Sequence, residues 1–294
     1  MQRVAVSVAS VLVVLFVAGG LGDPAAQTAA PRPPHHARQG FRNLDASYSY
    51  SLFDRASRLV RRLRQAAWPR GKPLDVRAND GAALRANGFE ATATWVGHST
   101  FLVQLEGINI LTDHHLDAET VARIARAHDP VFIVPLHMQP LLADMGARHV
   151  VELDWWQGTE VAGLTFVCTP AQHSSGRTLN DQNRRLWSSW AVVGRAKRFF
   201  FAGDTGYFWG FRAIGERLGP FDLAAVPIGG YRSYVTRHPN HVNPEEAVQL
   251  FEDVGGRLLL PMHWGTFDMN SEPFAEPPAR LTAEARRRGL AGRV

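Results

Sequence analysis

The 294-residue chain has a single cysteine, Cys168, and only two lysines, Lys72 and Lys197. One cysteine excludes an intramolecular disulfide framework and any four-cysteine zinc site. The formal charge of +5 rests almost wholly on arginine and is spread along the chain. It forms no compact basic block with interleaved aromatics and no known module, so nucleic acid is not an expected partner. Nor is there a glycine period of the fibrous kind; 45% apolar residues and 18 prolines describe a globular chain. Against the lone cysteine stand twelve histidines. Any metal site in this chain therefore has to be built from imidazole and carboxylate.

The first residues have the order of a secretory signal. Met1-Gln2-Arg3 gives a positive start, Val4 to Val17 is apolar but for Ser7 and Ser10, and a glycine- and alanine-rich exit follows. An uncleaved anchor helix is the alternative, although the run is at the short end of the ~17–25 residues that a span needs. This reading places the mature protein in a secreted or periplasmic compartment, with membrane association through the N-terminal segment if it is retained. The expected organisation is a signal at 1–26, a linker at 27–45, a helical extension at 46–80 and one main domain at 81–294. Within the linker, His35 and His36 beside Pro33-Pro34 read as solvated. In the extension, Phe53, Ala56, Val60, Leu63 and Ala67 share one helical stripe, with arginines over much of the rest. Such a helix either docks on the main domain or lies on an anionic membrane surface.

From Ala91 onward strands and helices alternate, which implies an α/β architecture with helices covering sheet faces. Four strand ends carry chemistry. Leu164 to Thr169 leads to His173, Arg198 to Phe201 leads to Asp204, and Arg257 to Met262 leads to His263. Ile108 to Thr112 leads to Asp113, His114, His115 and Asp117. Ligands collect at the carboxyl ends of strands in open α/β sheets, so these side chains are expected to converge. Imidazole and carboxylate suit zinc, iron or manganese, and Asp204 can bridge two ions. His241-Val-Asn-Pro-Glu-Glu reads as a helix start, with Asn243 as N-cap and Glu246 closing a capping box. A helix N-terminus attracts anions, and His241 can add a donor to a phosphate. Trp155, Trp156, Trp187 and Trp190 read first as core and otherwise as an apolar cleft for acyl chains. His98 reads as structural.

Motifs in order along the chain carry a resemblance. Trp95-Val-Gly-His98-Ser-Thr, Leu111-Thr-Asp113, His115-Leu-Asp117, Thr169-Pro-Ala-Gln-His173, Phe201-Ala-Gly-Asp204-Thr-Gly-Tyr207, His241-Val-Asn-Pro-Glu-Glu-Ala247 and His263-Trp-Gly-Thr-Phe267 occur in sequence. Together they resemble the metallo-β-lactamase superfamily, and within it the N-acylphosphatidylethanolamine-hydrolysing phospholipase D type. The resemblance implies an αββα sandwich with a two-zinc site at one edge of the sheets, and hydrolysis of a phosphodiester. It implies His173, Asp204 and His263 as metal ligands, Asp204 as the catalytic bridge, and His241 as a substrate-phosphate contact. It also implies a phospholipid substrate, peripheral membrane contact, and leaves room for a homodimer.

The family carries His-x-His-x-Asp-His a few tens of residues beyond its Leu-Thr-Asp element. Here Asp113 runs directly into His114 and His115, so the intervening loop, one strand of the N-terminal sheet and two histidines are missing. His115 matches the last histidine of that motif, and His114 stands where its aspartate belongs. The expectation is therefore a sheet that exposes edges or re-pairs, and at most one tightly held zinc, on His115, Asp204 and His263 with His114 as a substitute. Two function classes follow: a zinc-dependent hydrolase of phosphodiester lipids or a related phosphate or lactone ester, and a non-catalytic relative that keeps a phosphate-binding edge.

Overall fold

The computed structural model describes residues 12–15, 32–45, 79–112, 118–176, 181–232, 240–267 and 272–294. The expected helix over Ser51 to Trp68 lies outside the described residues, as do His114 and His115. Among the described residues, no helix is long and apolar enough to cross a membrane.

Among the described residues, two six-stranded sheets form the centre of the molecule. The first runs in the order β2 (Thr92–Gly97), β3 (Thr100–Leu105), β4 (Ile108–Thr112), β1 (Leu12–Leu15), β5 (Val131–Pro135) and β6 (His149–Leu153). The second runs β12 (Gly256–Met262), β11 (Phe221–Pro227), β10 (Arg198–Phe201), β9 (Ser189–Val193), β8 (Leu164–Thr169) and β7 (Gly158–Val161). One apolar cluster contains inner-face residues of both sheets, among them Phe101, Ile110 and Ile133 from the first and Phe166, Trp190 and Phe201 from the second. Successive strand residues point to opposite faces, and β5 shows the consequence. Ile133 joins the cluster between the sheets, whereas Phe132 and Val134 join an outer cluster with Val121 and Ala125 of α2 (Ala118–His128). On the far side, α4 (Gly210–Leu218), α5 (Pro244–Asp253) and α6 (Glu276–Arg287) cover the second sheet. The order of layers is αββα. Two shorter helices, α1 (Ala82–Ala86) and α3 (Gln139–Asp144), complete the list of α-helices among the described residues.

The missing strand is made good from an unexpected place. Residues 12–15, inside the apolar run read as a signal, pair in parallel with β4 (Val13 beside Ile110) and with β5 (Val13 beside Val131). Without them β4 and β5 have no shared ladder, because each pairs with β1 and not with the other. A four-residue apolar stretch has the same composition whether it serves export or a buried parallel strand, which explains why its pattern did not reveal the pairing. Two further strands, β6 and β7, fall where no strand was expected. The helix start at Asn243 is as expected: its side chain accepts from the Glu246 N–H at 2.8 Å, and Glu246 returns the bond at 3.0 Å.

Candidate metal centre

Strand directions decide where the functional side chains meet. β10, β11 and β12 are parallel, and β9 runs against both β10 and β8. So β8, β10, β11 and β12 all end on the same edge of the second sheet, and His173, Asp204, Gly229-Gly230 and His263 follow those ends. In the first sheet the β2–β3 turn carries His98 and lies beside the end of β4, where Phe101 pairs with Thr112. The two edges join through the backbone: the His263 N–H donates to the His98 carbonyl at 3.0 Å.

Asp204 sits at the centre and is buried. Its Oδ1 lies 3.1 Å from His263 Nε2 and its Oδ2 lies 3.9 Å from His173 Nε2. The ring nitrogens on the other side settle the tautomers. His173 Nδ1–H donates to the Ser174 carbonyl at 2.8 Å, and His263 Nδ1–H donates to the Gly229 carbonyl at 3.2 Å. In a neutral imidazole whose Nδ1 carries the proton, Nε2 presents a lone pair. Two such lone pairs facing one carboxylate repel it unless a cation or proton lies between. The imidazole–carboxylate donor set therefore fits a divalent metal. Where a proton takes that place, His263 shows it: burial pushes its pKa down, but the Asp204 charge and hydrogen bond outweigh burial and leave it raised.

His241 belongs to the same cluster. A ligand atom from each of His173, Asp204 and His241 lies within 4.8 Å of the others. Its ring also stacks on His263 with centroids 5.0 Å apart. His241 is thus placed at the metal-competent group as well as at the start of α5. Gly230 makes the room, for a Cβ there would stand 3.1 Å from His263 Cε1 and 3.4 Å from His241 Cγ. Both His98 and His263 hold left-handed backbone, with φ of 51° and 61°. Such strain costs on the order of 1 kcal/mol or more per non-glycine residue, and surrounding bonds hold it in place. Here the His98 N–H donates to Thr266 Oγ1 at 2.9 Å, and the Trp95 indole donates to the His98 carbonyl at 3.0 Å.

Of the expected site residues, the structure gathers His173, Asp204, His241 and His263, while His114 and His115 fall outside the described residues. His98, read as structural, brings its ring to 4.2 Å from that of His263. Three of the four tryptophans are core: Trp155, Trp187 and Trp190 are buried, and Trp187 donates to the Ala171 carbonyl at 2.9 Å. The expectation for His35 and His36 is overturned. His35 is 4% exposed, and both rings donate to the Asp154 carboxylate, at 2.6 and 2.8 Å. Burial pushes the Asp154 carboxyl up, but the His35 hydrogen bond and the neighbouring imidazoles hold it below the usual range. Sequence could not show this pairing, because the partners are more than a hundred positions apart.

Comparison with known proteins agrees with this geometry. A family model described as a beta-lactamase superfamily domain matches residues 93–264, more than half of the chain. An uncharacterized protein of Mycobacterium tuberculosis is 34% identical over 317 positions, covering 90% of this chain and 84% of the relative. Those 317 positions exceed the 294 residues of the chain, so the relative carries residues that have no counterpart here. The N-acyl-phosphatidylethanolamine-hydrolyzing phospholipase D 1 of Caenorhabditis elegans is 36% identical over 242 positions, covering 64% of this chain and 68% of the relative. Among solved structures, a metallo hydrolase of the archaeon Ignicoccus hospitalis shares the fold at a TM-score of 0.53 and 21% identity, covering 68% of this chain and 91% of that one. On its αββα layers, its edge of histidines around Asp204 and these matches, the chain belongs to the metallo-β-lactamase superfamily, in a metallo-hydrolase branch related to the N-acylphosphatidylethanolamine-hydrolysing phospholipases D.

Proposed function

We propose that the chain is a metal-dependent hydrolase of phosphodiester lipids of the N-acylphosphatidylethanolamine type. The observation that carries this reading is the pair of imidazoles, His173 and His263, turned by their Nδ1–H bonds to present Nε2 to the two oxygens of Asp204. His173, Asp204 and His263 hold the metal in this reading, with His115 and His114 completing the set. A zinc ion supplies an activated water and offsets charge on the phosphate. The chain's own residues do the rest. Asp204 bridges the two histidine-bearing strand ends and fixes their separation. His241, at the N-terminus of α5, binds the phosphate with the aid of the helix end. Gly230 keeps the space between His241 and His263 open. The kinship with the Caenorhabditis elegans phospholipase supports the lipid substrate class.

The second reading, a non-catalytic relative with a phosphate-binding edge, is favoured by one observation, the absence of a His-x-His after Asp113. Purified full-length protein supplied with zinc and vesicles containing N-acylphosphatidylethanolamine separates the two. The hydrolase reading expects release of phosphatidic acid, abolished by His263→Ala; the second expects none from either protein. Zinc content is the companion measurement, and two tightly held ions per chain would overturn the expectation of one at most.

A further inference from the structure

The segment ahead of the main domain reaches the metal centre. The Asn43 side chain grips the backbone of His173 at both ends: Nδ2–H donates to the His173 carbonyl at 2.8 Å, and the His173 N–H donates to Oδ1 at 3.2 Å. His173 lies beyond the end of β8, just past the isolated bridge of Gln172 to Gly206. The same segment is pinned next door, where the Phe41 N–H donates to the Asn183 carbonyl at 2.7 Å and the Asn183 N–H donates to the Ser175 carbonyl at 2.7 Å. Gly40 allows this approach, since a Cβ there would lie 2.1 Å from the Asn183 oxygen. At its other end, the segment folds into a small hairpin with His36 bridged to Phe41, and Phe41 is buried. His35 stacks on Trp155 with centroids 4.2 Å apart, and the two histidines close on Asp154, just past the end of β6. The segment is therefore anchored on the first sheet and grips a candidate ligand of the second.

We propose that residues 33–45 form a strap, latched by Asp154 between His35 and His36, and that Asn43 on this strap is a positioning residue for His173. The role in metal binding rests on the hydrolase reading; the mechanical role does not. Both carboxylate oxygens of Asp154 are engaged by direct hydrogen bonds of 2.6 and 2.8 Å, which makes the His–His–Asp group a latch, although its donor set also suits a cation. Loss of the ring partner of a ligating histidine weakens metal affinity by about 10–100-fold; Asn43 holds the His173 backbone instead, so its loss is expected to cost at most the lower end of that range.

The test uses the full chain and two readouts. Hydrogen exchange of the peptide spanning residues 171–176 reports the grip itself, with or without metal. Cobalt(II) affinity, measured by chelator competition, reports its consequence. Asn43→Ala is expected to speed exchange in that peptide about tenfold or more while the thermal midpoint stays near wild type, and to weaken cobalt binding by up to about 10-fold. Asn43→Asp keeps the acceptor for the His173 N–H and should restore part of both effects. Asp154→Asn, acting from the far end of the strap, should reproduce the exchange result. Unchanged exchange in Asn43→Ala would overturn the proposal. So would a loss of one bound zinc per chain in His36→Gln with exchange at 171–176 unchanged, because the cluster would then be a cation site of its own. A wild-type chain that takes up no cobalt would sink the hydrolase reading, while the exchange measurement still decides the strap.

Discussion

The two sheets have the same number of strands and are wired differently. In the second, every neighbour is close in sequence, from β7 at residue 158 to β12 at residue 262, and its strand ends deliver His173, Asp204 and His263. In the first, the ladder between β4 and β5 is filled by residues 12–15, about a hundred positions from either partner. One sheet gathers the candidate ligands from a compact stretch of chain; the other owes its continuity to a distant fragment. The lesson is that loss of a strand need not unmake this architecture when another apolar segment satisfies the same hydrogen-bond rows.

The largest effect expected separates the sheets by function. Asp204→Ala should remove measurable metal binding and lower any diesterase turnover by on the order of 10³-fold or more, with the circular dichroism spectrum retained. If cobalt affinity survives the change, the second sheet is not where the chemistry lies. Next comes stability. Val14→Pro strikes the inserted strand, where proline removes a ladder hydrogen bond and leaves a partner carbonyl unpaired, a destabilisation of about 1–3 kcal/mol. Because one apolar cluster joins both sheets, the damage should spread. Cys168, wholly buried in β8 with its thiol pushed well above the usual range by burial, should then become reactive to a thiol reagent that wild type resists. Denaturation unchanged by Val14→Pro would mean that residues 12–15 are not needed.

A smaller change tests the anion end of the second sheet. Asn243→Ala removes the cap of α5 and should destabilise by about 1 kcal/mol in urea denaturation, with a weaker affinity for inorganic phosphate if His241 and the helix start bind it together. The subtlest concerns pH. Arg287 and Arg288 hold the Glu284 carboxyl down to about 2. Its unfolded value is about 4.3, so its contribution is fully present above that and is lost as pH falls toward 2. Glu284→Gln should therefore lower the thermal midpoint at pH 6 by a few degrees, and the gap from wild type should close as the pH approaches 2. A gap that persists there would mean that shape, not charge, is what Glu284 contributes.

Much of the candidate site's placement was legible because it obeys local rules. Arg198-Phe-Phe-Phe reads as a buried strand, and Asp204 follows it by three residues; His173 and His263 repeat the plan. The capping box at Asn243 is likewise written in four consecutive side chains. What escaped was set by tertiary contact. His35 and His36 looked solvated because their partner, Asp154, lies beyond any local window. Asn43 carries no motif at all, and its meaning comes only from the His173 backbone opposite. Leu12 to Leu15 escaped for a different reason: apolar composition is shared by two destinies, and pattern alone does not choose between them.

That choice becomes a race when the chain is made. Residues 12–15 are synthesised about a hundred residues ahead of their partners on β4 and β5. At roughly 5–20 residues per second, the segment waits several seconds without a ladder. Any other apolar surface that captures it in that interval takes it from the sheet. The closing of the first sheet thus depends on these apolar residues staying uncaptured until β4 and β5 are complete.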